Sequence, residues 1–310
     1  MYDFNVIVLG GGPAGMSAAI HAVGNGLSTL LIERLYTGGQ AAKLEKIENY
    51  PGFPQGISGA ELTDLMDEQM REANVRILHE EVISVDMEKK KKIIKTTKGE
   101  YSSDTVIIAT GSRPRELGLE NERSLKNMGV YYSASKDAQR FKGKIAAITG
   151  SGDEACREAL ILSKVCNKVC FVCRRGSLNA SKTLSDAVKA AENIEVAYNC
   201  VVAEIVRGLF LLESVTVFNK VTTEIAKIPV EGLFVALGAE PDSDVFRGQV
   251  RMDDDGAIKT DENMATGTPG VFAAGDVRTT PCRRIVTAVG DGAVAAFSAN
   301  KYITEHGAGV

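Results

Sequence analysis

The sequence predicts an α/β fold of two strand–turn–helix domains, the second inserted into the first. Three observations carry this. The first is a unit at residues 5–33: an apolar strand Val6-Ile7-Val8-Leu9, the loop Gly10-Gly11-Gly12-Pro13-Ala14-Gly15, a helix from Met16 and a second strand ending at Glu33. The second is a repeat of that unit. Residues 144–149 form an apolar strand, Gly150-Ser151-Gly152-Asp153-Glu154-Ala155 the loop, a helix runs to about Val165, and residues 168–173 are the next strand. The third is a strand at 271–274 followed by a helical pattern over 284–304, which the second unit does not need and which returns to the first. Both units therefore read as Rossmann-like dinucleotide-binding domains.

The residue types in the first loop have separate tasks. Gly10 permits the tight turn, Gly12 lets the backbone approach a pyrophosphate, and Gly15 lets the helix pack on the strand. The free amides around Pro13 and Ala14 face the phosphates without any cation. Glu33, with Arg34 after it, ends the second strand, where a carboxylate accepts from an adenosine ribose and repels a 2′-phosphate. The ligand is FAD-like or NAD-like.

Each glycine-loop unit is followed by hairpin-like strands, 81–86 with 92–97 and 202–206 with 215–218, and closed by a Gly-ended strand, 106–111 and 233–238. The second domain is entered through Arg113-Pro114-Arg115 and left through Ala239-Glu240-Pro241, two short crossings able to act as hinges. The division is 1–115 with 241–310, and 116–240.

Composition excludes other classes. A chain of 310 residues, 44% hydrophobic and 25% charged, is ordinary for a soluble two-domain protein. Its formal charge of −4 gives no footprint for nucleic acid, and no apolar run is long enough to span a membrane. Six unevenly spaced cysteines and a strand starting near Met1 fit a cytoplasmic protein without a disulfide framework. Only His21, His79 and His306 are present, which leaves no His-based triad or metal cluster. The chemistry falls to a cofactor.

With these motifs in hand, the chain resembles the low-molecular-weight thioredoxin reductases, class II of the pyridine nucleotide-disulfide oxidoreductases, over about residues 1–304. The resemblance rests on residues 10–15, Gly38-Gly39-Gln40, Glu48-Asn49-Tyr50-Pro51-Gly52, Ala109-Thr110-Gly111, Gly275-Asp276-Val277, and Arg283 with Thr287-Ala288. It implies an FAD-dependent oxidoreductase and a homodimer, with FAD in the first domain and an NAD(P)H-binding-like inserted domain. By the same resemblance Gly39, Gln40 and Asn49 lie near the isoalloxazine, Thr110 and Gly111 close the flavin strand, Gly275 and Asp276 meet the ribityl chain, and Arg283 and Arg284 lie beside the flavin.

The family carries a redox C-x-x-C-D in the inserted domain. Here that segment reads Ser133-Ala134-Ser135-Lys136-Asp137, and no cysteine precedes Cys156. Neither a hydroxyl nor an amine attacks a disulfide or cycles two electrons, so the catalytic residues are left unknown. Lys136 lies in a segment able to approach the isoalloxazine, where a cation would raise the flavin potential. Cys282, beside Arg283, is a candidate reactive thiol. Cys166-x3-Cys170-x2-Cys173 has iron–sulfur spacing, but Cys170 and Cys173 point to opposite faces of a strand; no metal site is expected.

The second nucleotide site keeps Gly150, Gly152 and Ala155, with Arg174 and Arg175 placed to bind a 2′-phosphate. Cys173 and Asn179 stand where the family has histidine and arginine, and Glu154 at the helix start either complements the dipole or, about 5 Å from a pyrophosphate, costs up to roughly 3 kcal/mol at an effective dielectric near 20. NADPH, NADH and a carrier such as ferredoxin all stay open as donors. Lys89-Lys90-Lys91-Lys92, with Lys95 and Lys98, reads as the solvated tip and face of a hairpin, or as a docking edge for an acidic ferredoxin or a thioredoxin-like carrier. Two alternatives stand beside the oxidoreductase reading: a redox-poor regulatory flavoprotein, and a thioredoxin-disulfide reductase that uses cysteines outside the family motif.

Overall fold

The computed structural model describes residues 2–306, and the chain divides into two compact units at Arg113/Pro114 and Ala239/Glu240. The first unit contains strands β1 (Tyr2–Leu9), β2 (Thr29–Glu33), β3 (Arg76–His79), β4 (Val82–Asp86), β5 (Lys92–Thr96) and β6 (Glu100–Ile108), with helices α1 (Pro13–Gly24) and α2 (Gly59–Glu72). Strands β3-β2-β1-β6 are parallel. Val6, Ile7 and Val8 are fully buried, because helices cover one face and an irregular apolar layer the other, which is why β1 is an uninterrupted apolar run.

Past the short crossing strand β7 (Ser112–Pro114), the second unit holds β8 (Val130–Tyr131), α3 (Ala134–Asp137), β9 (Ile145–Gly150), α4 (Asp153–Ser163), β10 (Lys168–Cys173), α5 (Lys182–Ala190) and β11 (Ile194–Tyr198). It continues with β12 (Cys200–Arg207), β13 (Leu212–Asn219), β14 (Ile225–Pro229) and β15 (Gly232–Ala236). A parallel sheet runs β11-β10-β9-β15-β8, and β12-β13-β14 form an antiparallel sheet. The sequence places only two strands there. The third, β14, is mostly exposed and lacks a buried alternation that would betray it.

The chain then returns through β16 (Ala239–Pro241), which pairs with β7, and ends with β17 (Val271–Ala273) and α6 (Ile285–His306). One edge of β6 meets β1 along its length. The other edge is shared, with β5 antiparallel to residues near Tyr101 and β17 parallel to Val106, Ile107 and Ile108. Helix α6 lies against α1 so closely that a Cβ on Gly292 would overlap the Ala14 carbonyl oxygen. That contact sets the C-terminal helix directly behind the first glycine loop.

The lysine hairpin is less solvated than its composition predicts. Lys92 is only 2% exposed, and its ammonium donates to the Met87 and Lys89 carbonyls at 2.9 and 2.7 Å. Burial pushes its pKa down from the ordinary lysine value. Lys89 pairs with Asp86, Lys91 with Asp3 and Asp104, and Lys95 with Glu100, while Lys98 donates to the His79 carbonyl. Carboxylates thus pair with Lys89, Lys91 and Lys95, while carbonyls hold Lys92 and Lys98.

Candidate functional site

The first glycine loop is a turn that only glycine allows at two of its positions. Gly10 has φ +104°, and a Cβ there would overlap the Ala109 carbonyl; a Cβ on Gly15 would overlap the Gly10 oxygen. Gly12 is different. A Cβ on it would meet nothing within 4 Å, so its backbone borders open space. It also caps α1 without any side-chain hydrogen bond, Pro13 fills the first helical position, and the first turn contains no acid. Helix α1 thus presents unpartnered amides and the positive end of its dipole to that space.

The space is a cleft of about 1010 Å³ within the first unit. Of the sequence-predicted residues it is lined by Gly10, Gly12, Pro13, Ala14, Glu33, Arg34, Gly39, Gln40, Asn49, Thr110, Gly111, Gly275, Asp276, Arg283 and Arg284. Gly15 is not on the wall; it packs beneath the turn, so its contribution is to helix approach rather than to ligand contact. Residues the sequence reading omits also line it, among them Tyr36, Lys43, Lys46, Glu80, Ser112 and Arg113. Nothing in their spacing announces this, because loops distant in sequence bring them in.

Hydrogen bonds hold the lining in place. Glu33 accepts from the Gly11 amide at 2.8 Å through one oxygen and from the Leu35 amide at 3.0 Å through the other. The Gly38 amide donates to the Gly11 carbonyl, and Gly39 would bring a Cβ to 3.1 Å from Gly12 Cα, which packs the second glycine loop against the first. Thr110 donates to the Asp242 carbonyl at 2.6 Å, while the Asp242 amide returns a bond to Gly111. Gln40 reaches the Ser112 carbonyl at 3.3 Å.

The turn Gly275–Val277 depends on a buried ion pair absent from the sequence reading. The Gly275 amide donates to Asp291 of α6 at 3.0 Å, and Arg278 grips both oxygens of that carboxylate at 2.7 and 2.8 Å. Asp276 projects beside it. Burial pushes the Asp276 carboxyl above the ordinary aspartate range, Asp291 pushes the same way, and Arg283 and the Ser112 hydroxyl oppose the rise.

Over residues 4–292 the chain matches the pyridine nucleotide-disulphide oxidoreductase family. It belongs to that family. It is 37% identical to a thioredoxin reductase of Peptoclostridium litorale across 97% of this chain and 98% of the relative. The solved thioredoxin reductase of Lactococcus lactis superposes with a TM-score of 0.85 at 35% identity, covering 97% of this chain and 99% of the other. A ferredoxin-flavin thioredoxin reductase from Clostridium acetobutylicum is also similar, with a TM-score of 0.55, 28% identity and coverage of 98% and 99%.

This member of the family is an FAD-dependent oxidoreductase of the thioredoxin reductase type. The cleft fits FAD on its own terms: a bare glycine wall at Gly12, an acid-free helix start, a carboxylate at Glu33 at the end of β2, and a cavity of about 1010 Å³, large enough for a dinucleotide.

In the second unit, residues 133–137, where the sequence resemblance puts a redox C-x-x-C-D, form α3 and its N-cap, Ser133. The Ser133 and Ser135 hydroxyls share a 2.8 Å hydrogen bond, and Glu158 of α4 accepts from the Ala134 amide. Lys136 is exposed and has no described partner. Burial raises the Glu158 carboxyl, with the Ala134 amide opposing it. The second glycine turn lies between β9 and α4. A Cβ on Gly150 would overlap Ala155 Cβ and the Ala236 carbonyl, so this turn is as tight as the first. Arg174 and Arg175 follow β10, both exposed.

Five of the six cysteines are buried, and none of the six is in a disulfide. Cys170 belongs to the apolar layer between the sheet and β12–β14, and Cys173, three residues on, takes the opposite side, donating to the Ser177 carbonyl at 3.6 Å. Burial pushes Cys166 up to about 11 and raises Cys156, Cys170 and Cys200. Among the described residues no group of His, Cys, Asp or Glu could hold a metal ion. Cys282 alone is exposed, next to the cleft-lining Arg283. Native protein is expected to release one equivalent of thionitrobenzoate per chain from Ellman's reagent, and unfolded protein six. More than one fast thiol in the native state would contradict the burial.

Proposed function

We propose that this protein passes electrons through FAD without the dithiol of the thioredoxin reductases, from NAD(P)H or a reduced ferredoxin to an acceptor other than thioredoxin. The carrying observation is Ser133 and Lys136 where the resemblance would put the two cysteines of a C-x-x-C, with no cysteine before Cys156. Bound FAD supplies two-electron acceptance and donation. The chain's residues bind and orient it: the α1 amides and the Gly275–Val277 turn at the phosphates and ribityl chain, Glu33 at the ribose, and Gln40 and Asn49 at the ring. Residues 1–115 with 241–310 form the FAD domain and residues 116–240 an NAD(P)H-binding-like domain.

A reductase working through other cysteines is disfavoured by their burial and by the raised thiol pKa values of four of them. The protein acts as a homodimer; on α6, Phe297 is 66% exposed, with Val286 and Val294 also open, which suits an apolar subunit contact. An electron-carrier partner gains support from the ferredoxin-flavin relative, although the paired lysine hairpin is a poor docking edge for it.

Anaerobic mixing with NADPH, NADH and reduced ferredoxin tests the reading. At least one of the three is expected to bleach the flavin absorbance rapidly. Persistence of the oxidised spectrum with all three would favour the regulatory flavoprotein instead.

A further inference from the structure

The chain contains two copies of the same phosphate-facing turn, and they differ at one telling position. In the first, Gly12-Pro13-Ala14-Gly15 starts α1 with no acid. In the second, Gly152-Asp153-Glu154-Ala155 starts α4 with two. Glu154 occupies the place of Ala14. We propose that Glu154 weakens pyridine-dinucleotide binding at the second turn and so biases the choice of donor. This rests on the reading of the inserted domain as NAD(P)H-binding-like.

The two acids are not equivalent. Asp153 is engaged by the fold: it accepts from the Ser181 amide at 2.7 Å and lies 3.8 Å from the Arg157 guanidinium. Asn179 adds to this tie by donating its amide to the Ser151 carbonyl at 2.7 Å. Glu154 is exposed and has no described partner. No described cation pairs with its carboxylate, which acts on Glu158 and belongs to the first turn of α4, whose amides a pyrophosphate would use and where like charge opposes binding.

The backbone of the turn does not account for weakened binding. A Cβ on Gly152 would meet only the Asn179 carbonyl, at 3.9 Å, so the backbone is not blocked. Arg174 and Arg175 are exposed, and among the described residues no side chain pairs with either guanidinium, so cations for a 2′-phosphate persist. Removal of one carboxylate should then strengthen binding at a turn that keeps its glycines and two arginines. Solvent screens an exposed charge, which reduces the expected gain to about tenfold in affinity, or about 1.4 kcal/mol.

The test is calorimetric titration of NADP+ into FAD-loaded protein, comparing the native chain with Glu154→Ala and Glu154→Gln at low and high salt. Both variants are expected to bind about tenfold more tightly than the native chain, with the gap shrinking as salt rises. Since Glu154→Gln keeps shape and removes charge, a dissociation constant within about threefold of native for that variant would overturn the proposal, as would native binding already as tight as that of the variants. The readout does not depend on turnover. Flavin bleaching by ferredoxin with no gain in either variant would leave the proposed function standing and remove this inference alone.

Discussion

An anaerobic dithionite titration of the FAD-loaded protein is expected to end at two electrons per chain, where a relative with a redox dithiol ends at four. The cause is electron storage: FAD holds two electrons and a disulfide two more, but serine and lysine at 133 and 136 have no accessible redox couple. The buried cysteines are poor substitutes, because burial raises the thiols of Cys156, Cys166, Cys170 and Cys200. Cys170 and Cys173 lie on opposite sides of β10, and Cys282 is exposed by itself. Thioredoxin turnover should accordingly be absent or at least a hundredfold below that of a dithiol relative, even when the flavin is reduced quickly. A four-electron endpoint accompanied by two new thiols would sink the proposal, and replacement of Cys282 would then be the first step in locating the pair.

The parts of the fold that sequence reveals are those whose chemistry is local. The two glycine turns are legible because each must fit a tight backbone, and Gly10, Gly15 and Gly150 indeed have no room for a Cβ. The return of the chain to the first unit is legible because α6 is a long helical pattern without a partner in the second. By contrast, β14 is hidden because its side chains are largely solvent-facing. Lys92 misleads for the opposite reason. A run of lysines looks solvated, yet the hairpin closes over one ammonium and satisfies it with two carbonyls. At the site, loop glycines and Glu33 can be read in sequence, whereas Tyr36, Glu80 and Arg113 reach the cleft through tertiary folding. Asp291 did leave a signal, as a single acid flanked by glycines within an apolar helix, a position that buries a charge only when a partner waits.

That partner makes Arg278→Met the substitution with the largest expected structural effect. Both side chains of the Arg278–Asp291 pair are about 85–90% buried, with exposures of 15% and 12%, and removing the cation leaves an unpaired carboxylate inside the protein. Breaking such a pair costs on the order of 3–5 kcal/mol, which for a unit of this size lowers the melting temperature by roughly 10 °C. The effect should also reach the cofactor. Asp291 accepts from the Gly275 amide, so a displaced carboxylate releases the turn that carries Asp276, and FAD should dissociate at least tenfold more readily. The double variant Arg278→Met/Asp291→Leu separates the two consequences: apolar replacement of the whole pair restores much of the stability, but leaves Gly275 without its acceptor. Differential scanning calorimetry of the apoprotein and FAD dissociation followed by flavin fluorescence measure them independently. Removal of the solvated Lys227–Glu213 pair in the second unit should change neither. If the double variant holds FAD as tightly as the native chain, the ion pair stabilises the fold without positioning the turn.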